Sequence, residues 1–207
     1  MRKTKIICTL GPASDSDAVL ERLIQEGMDV ARFNFSHGTH EEQKKRLTKL
    51  RLLRERYGRP VATLLDTKGP EIRVRDFKDG AITLQKGDEF VLTGREVEGD
   101  EHIVTITYPE LVGDVKVGQR ILIDDGLIEM TVKELTDTDI ICDVNNGGKV
   151  SNHKGINVPG IHLSLPYISE VDKSDLLFGI EEDVDYVAAS FVRTAEDVQQ
   201  IRKLLQE

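Results

Sequence analysis

Three short apolar runs alternate with two helical repeats in the first seventy residues, and this rhythm constrains the fold more than any other feature of the chain. Lys5-Ile-Ile-Cys-Thr-Leu10, Val30-Ala-Arg-Phe-Asn34 and Val61-Ala-Thr-Leu-Leu-Asp66 have strand length and near-continuous apolarity, as expected of strands buried on both faces. Between them, Ala18, Leu20, Leu23 and Ile24 recur at helical spacing over residues 17–26. Leu47, Leu50, Leu53 and Tyr57 do the same over residues 40–57, opposite a dense Lys/Arg/Glu face,. Ser14 or Ser16 stands where the first helix needs an N-cap, and Gly27 and Gly58 stop the two helices,. A β-α-β-α-β order with short links predicts parallel strands joined by right-handed crossovers.

At Pro70 the texture changes. Residues 71–165 carry no helical periodicity. Short alternating segments replace it: Ile72–Arg75, Ala81–Leu84, Glu89–Thr93, His102–Thr107, Arg120–Asp124, Ile128–Val132 and Asp139–Val144. Asp79-Gly80, Lys86-Gly87-Asp88, Asp125-Gly126 and Asn146-Gly147-Gly148 supply turns between them,. Such spacing predicts a small all-β barrel or sandwich inserted into the α/β unit. Past Pro166 the α/β texture returns. Ser169-Glu-Val-Asp172 caps a helix to about Glu181, Asp185–Ser190 forms a fourth strand, and Thr194 caps a last helix with Val198, Ile201, Leu204 and Leu205 inward,. The expected domains are therefore 1–70, an insert over 71–165, and 166–207. Four strand–helix units close neither an eight-stranded barrel nor a doubly wound sheet, and strands one and four would keep open edges. The chain thus reads as the front portion of a larger protein.

The ends of the predicted strands carry the chemistry. Arg32, Asn34, Ser36 and His37 crowd the end of the second strand, Asp66, Thr67 and Lys68 the third, Ser190 and Arg193 the fourth. Parallel α/β folds place all strand C-termini on one face, so these clusters should meet in space. Asn34, Ser36, Asp66 and Thr67 offer amide, hydroxyl and carboxylate oxygens with one formal charge, a set suited to a hard cation of low charge. Arg32 and Arg73 offer planar donors for phosphate or carboxylate. Plain readings stand beside these: Ser36-His37-Gly38 as a helix cap, Asp66-Thr67 as turn chemistry. The chain has no G-x-S-x-G nucleophile turn, no Walker loop and no G-x-G-x-x-G,.

The charge balance, 28 basic against 37 acidic residues, argues against a nucleic-acid or anionic-membrane partner. No apolar run reaches membrane-span length, and no apolar run follows the basic N-terminus as in a signal peptide,. Cys8 and Cys142 fit no metal or redox spacing and are expected to be two buried free thiols of a reducing cytoplasm,.

With these residues in hand, the chain closely resembles the pyruvate kinase family. The stretches that carry the likeness are Thr4-Lys-Ile-Ile-Cys-Thr-Leu-Gly-Pro-Ala-Ser14, Gly27–Gly38, Leu65-Asp-Thr-Lys-Gly-Pro-Glu-Ile-Arg73, Asp124-Asp-Gly-Leu-Ile128, Asn146-Gly-Gly148, Lys154-Gly-Ile-Asn-Val-Pro-Gly160, Asp175–Gly179 and Ala188–Arg193. The resemblance implies the first four β/α units of a TIM-type barrel with an inserted β-barrel lid. It implies phosphoryl transfer from phosphoenolpyruvate to ADP, giving pyruvate and ATP, with potassium and magnesium as cofactors. Arg32 would contact the phosphoryl substrate, and Arg73 the transferring phosphate. Asn34, Ser36, Asp66 and Thr67 would ligate potassium. Asn34, Phe35, Ser36, His37, Arg73 and Lys154 would lie along the nucleotide, Lys154 when the lid closes about hinges near Pro70 and Pro166. The parent would be a cytoplasmic homotetramer. Val171 stands where the family usually has lysine. The family's catalytic lysine, its magnesium-binding carboxylates, the remaining barrel and the regulatory domain would lie beyond residue 207, so this chain alone is expected to lack turnover. The alternatives are a non-catalytic half-barrel binding or folding module, an engineered fragment, or a catalytically dead paralogue.

Overall fold

The computed structural model describes residues 3–206. They form two compact units, one from residues up to Pro70 together with those from Pro166 onward, the other Glu71–Leu165.

The first unit opens with strand β1, Ile7–Leu10, followed by helix α1, Asp17–Glu26. Ser16 caps α1 by accepting from Val19 N, and Gly27 ends it in the left-handed region,. Strand β2, Val30–Asn34, leads to helix α2, His40–Arg56, whose start is a capping box between Thr39 and Glu42,. Strand β3, Ala62–Asp66, ends this part. All three strands are parallel, with Thr9 opposite Arg32 and Asn34 opposite Asp66. That register brings the polar strand ends to one level.

The second unit contains β4 (Ile72–Arg73), β5 (Ala81–Leu84), β6 (Glu89–Thr93), β7 (Ile103–Thr105), the short helix α3 (Leu111–Asp114), β8 (Arg120–Ile123), β9 (Ile128–Leu135), β10 (Asp139–Asn146), β11 (Gly148–Ser151) and β12 (Gly155–Asn157). Seven strands run in the order β4-β12-β8-β9-β10-β6-β7. A bridge from Val74 to Ile106 joins the two edges. Around it Arg75 N donates to Thr105 O at 2.8 Å and Thr107 N to Arg73 O at 2.9 Å, so the sheet closes on itself as a small barrel. β5 and β11 pair as a separate ribbon. Phe90, Leu92, Val104, Ile121, Met130 and Val132 fill the interior. Strands β11 and β12 and helix α3 go beyond what periodicity in this region suggests: their residues are too polar, too glycine-rich or too few to show a repeat.

The chain returns to the first unit through helix α4, Glu170–Glu181, capped by a Ser169–Asp172 box, then strand β13, Tyr186–Ala188, and helix α5, Ala195–Leu204, capped by Thr194 and Asp197. β13 pairs in parallel with β3, giving the order β1-β2-β3-β13. This sheet is a curled, open half-barrel. Its core gathers Leu20, Ile24, Ala31, Phe33, Leu47, Leu50, Leu65 and Leu176.

Three expectations need correction. Val198 and Leu205 do not turn inward on α5; they are 46% and 42% exposed and line an apolar groove of about 470 Å3 with Ile180 and Tyr186. β13 has a strand neighbour on one side only, so the same helix buries Ile201 and leaves the next stripe uncovered. β1 is likewise an edge strand: Ile6 and Ile7 are exposed, and Cys8 is half-buried where a buried thiol was expected. Cys142 is fully buried, and burial pushes its thiol up to about 12. Ala18, expected inward on α1, is exposed.

Candidate active site

The strand ends of the half-barrel form one bonded cluster. Arg32, on β2, donates from Nη1 to Thr9 Oγ1 of β1 at 2.7 Å and from Nε to Asp66 Oδ2 of β3 at 2.9 Å. Its Nη2 donates to the same carboxylate oxygen, a forked contact of the kind a planar guanidinium makes well. The other oxygen, Asp66 Oδ1, accepts from Ser190 Oγ at 3.0 Å. Thr67 Oγ1 accepts from Ser190 N at 3.1 Å and donates to Ala188 O at 3.4 Å. Asp66 and Thr67 are buried, while Arg32 keeps a third of its side chain exposed. Residues from all four parallel strand ends therefore share one network.

Ser190 is held from three directions, since its carbonyl also accepts from Tyr167 Oη at 3.1 Å. The Lys68-Gly69 turn runs directly against it. Gly69 has φ +71°, and a Cβ there would stand 2.9 Å from both Ser190 O and Phe191 Cδ2, so only glycine fits this approach. Gly69 N donates to the buried carboxylate of Asp172 at 2.9 Å. Phe191, next to Ser190, takes a φ of +58°, a conformation that costs an L residue about 1–2 kcal/mol.

The turn after β2 is set by local bonds. Asn34 Oδ1 accepts from Ser36 N at 2.9 Å, an Asx turn,. Phe35 N donates to Asp66 O at 3.0 Å and buries its ring; His37 is exposed. The set Asn34, Ser36, Asp66 and Thr67 is oxygen-only with one formal negative charge, which fits the chemistry of a monovalent cation. Asp66 is shared, however, because both its oxygens already accept protein donors.

Next to this turn, His40 Nε2 lies 2.6 Å from Asp175 Oδ1, and the His40 ring stacks on Phe178 with centroids 4.5 Å apart. Burial pushes the Asp175 carboxyl up, and its bond to His40 opposes this without winning.

Within the β unit, β12 lies between β4 and β8, so Arg73, Lys154 and Asp124 become neighbours. Arg73 donates from Nη2 to Glu71 at 2.7 Å and from Nη1 to His153 O at 2.6 Å. Its hydrogen bond to Glu71 raises the guanidinium's affinity for its proton further. Lys154 Nζ lies 2.9 Å from Asp124 Oδ1. Asp124, Asp125 and Gly126 all have positive φ, the tight β8–β9 turn,.

Residues 1–207 match the family described as pyruvate kinase, barrel domain. The chain belongs to this family. Among curated relatives it is 52% identical over 208 residues to a protein named pyruvate kinase from Staphylococcus haemolyticus (strain JCSC1435). It is 52% identical over 209 residues to one of the same name from Staphylococcus aureus (strain USA300). Each match covers 100% of this chain and 36% of the relative. The open sheet agrees with an incomplete pyruvate kinase barrel. Of the residues read as site candidates, Arg32, Asn34, Asp66 and Thr67 lie at the strand ends and Phe35, Ser36 and His37 on the adjoining turn; Arg73 and Lys154 pair with carboxylates of the β unit. Val171, where the resemblance led to the expectation of a lysine, is exposed on the first turn of α4. Thr9, Glu71 and Asp124 escaped the sequence reading as site groups. Ser190, read with Arg193 at the end of the fourth strand, does join the network. Thr9 and Asp124 show themselves only as partners across strands, and Glu71 as the partner of Arg73 two residues on. No helix among the described residues is long and apolar enough to cross a membrane.

Proposed function

We propose that this chain carries part of the active site of a pyruvate kinase, an enzyme that transfers a phosphoryl group between phosphoenolpyruvate and ADP. The observation that supports this reading best is the bonded network of Thr9, Arg32, Asp66, Thr67 and Ser190 at the strand ends. Asp66 and Thr9 orient Arg32, whose remaining exposed guanidinium edge can receive a phosphate. A guanidinium held in place before the ligand arrives loses little entropy on binding, which is how such sites stabilise developing charge. Asn34, Ser36, Asp66 and Thr67 would hold potassium, which supplies a fixed positive charge beside the transferring phosphate. In the same reading Arg73 and Lys154 are phosphate ligands, and each must first exchange its own carboxylate, Glu71 or Asp124, for the nucleotide. Magnesium would be held by carboxylates outside these residues, so the isolated chain would bind ligand without turning it over.

A lactate-dehydrogenase-coupled assay with phosphoenolpyruvate, ADP, magnesium and potassium tests this. The purified 207-residue chain is run beside a longer protein that continues through the rest of the barrel. Turnover only in the longer protein supports the reading. Turnover by the 207 residues, with host enzyme excluded, would show that the chain holds a magnesium site of its own. Inactivity of both would remove the enzyme assignment and leave a binding or folding module.

A further inference from the structure

The buried stripe of α2 runs Gln43, Leu47, Leu50, Leu53. Helical spacing calls for an apolar residue at its first position, yet a glutamine stands there, 3% exposed. Its Nε2 donates to two carbonyls of the preceding turn, Asn34 O at 3.1 Å and His37 O at 3.0 Å. These carbonyls are the two ends of the segment whose side chains form the site. Inside the segment, Ser36 N donates to Asn34 Oδ1 and His37 N makes a long bond to Asn34 O at 3.4 Å, while Phe35 N reaches out to β3, at Asp66 O. One carboxamide thus spans the whole turn.

Packing does not account for the choice. Gln43 Oε1 is buried with no hydrogen-bond partner among the described residues, a loss that a methionine of similar volume would avoid. The helix that carries Gln43 is firmly seated. The Thr39–Glu42 box closes its first turn, and His40 bonds Asp175 on α4 and stacks on Phe178. Gln43 therefore projects from a fixed base.

We propose that Gln43 is a positioning residue for the phosphate- and cation-binding turn: its carboxamide draws the Asn34 and His37 carbonyls toward α2 and so fixes how Asn34, Ser36 and His37 present their side chains. The identity of the ligand rests on the proposed function above; the holding of the turn does not.

Amide hydrogen exchange by NMR on the 15N-labelled 207-residue chain tests the proposal. Gln43→Met keeps the volume and removes both donors. Ser36 and His37 amides should exchange at least tenfold faster, while the amide of Leu50, in the middle of α2, changes by less than twofold. Equal acceleration of all three, or none, would overturn the proposal, because a purely structural glutamine would act on the helix as a whole. If Gln43→Met does not fold, Gln43→Leu, smaller and likewise without donors, carries the same comparison. ADP titration provides a second readout, in which the Asn34–His37 resonances should shift in the wild type and require at least fivefold more ADP in the variant. An absence of shifts in the wild type would sink the nucleotide reading and leave the exchange result to decide Gln43.

Discussion

Asp66→Ala removes the acceptor that fixes Arg32. Two bonds from Arg32 and one from Ser190 are lost. Breaking a fully buried ion pair from one side costs about 3–5 kcal/mol. Here the Arg32 side chain is 34% exposed, so water reaches the orphaned guanidinium and the cost falls to about 2–3 kcal/mol. Asp66→Asn retains an acceptor for Arg32 and a polar group for Ser190, loses only the charge, and should cost about 1 kcal/mol. The chain has no tryptophan, so urea unfolding is best followed by far-UV circular dichroism of the helices. A double-mutant cycle with Arg32→Met should return a coupling of about 1.5–2 kcal/mol. If potassium binds here, KCl should raise the wild-type midpoint above that in choline chloride of equal ionic strength, and Asp66→Ala should abolish the difference. An alanine variant within about 0.5 kcal/mol of wild type, with no coupling to Arg32, would refute the network argument. Potassium stabilisation that survives in Asp66→Ala would place the ion elsewhere.

Two further predictions concern the rest of each unit. The raised Asp175 carboxyl means that the folded chain binds this proton more tightly than the unfolded chain, so ionised Asp175 subtracts stability at neutral pH,. Asp175→Asn, which keeps an acceptor for His40, should unfold at higher urea than wild type at pH 7, with the advantage shrinking as pH falls toward the ordinary carboxylate value of 3.8; a variant weaker than wild type at pH 7 would show that the charge itself is needed. In the β unit, a Cβ on Gly147 would stand 2.2 Å from Leu84 O and 2.8 Å from Gln85 Cα. These are backbone atoms that cannot rotate away, so Gly147→Ala should cost about 3 kcal/mol or more and speed exchange of the β5 and β11 amides, whereas unchanged exchange there would mean the turn can relax.

The sequence by itself determined the helix boundaries most sharply. Ser16, Thr39, Ser169 and Thr194 each accept from the backbone within three residues. A cap is a local bond, so its signal lies within a few letters of the chain. The first three strands, the parallel order and the polar strand ends were legible for a related reason: apolar runs and short links leave few topologies open. Arg32, Asn34, Asp66 and Thr67 stood out because polar groups at the end of an apolar run need a partner or a purpose.

Tertiary structure alone decided who those partners are. That Asp66 serves Arg32 and Ser190, that Asp124 holds Lys154, and that Gln43 spans the site turn all depend on register and on the placing of α2. β11 and β12 stayed hidden because their few polar and glycine residues show no repeat, and only their pairing, with β5 and with β4 and β8, makes them strands. Val198 and Leu205 follow the apolar spacing of a core helix, but whether a stripe is covered depends on what lies beyond β13, and spacing carries no record of that. Caps and periodicity are energies of neighbours in sequence; register, ion pairing and burial are energies of neighbours in space, and only the folded chain assigns those.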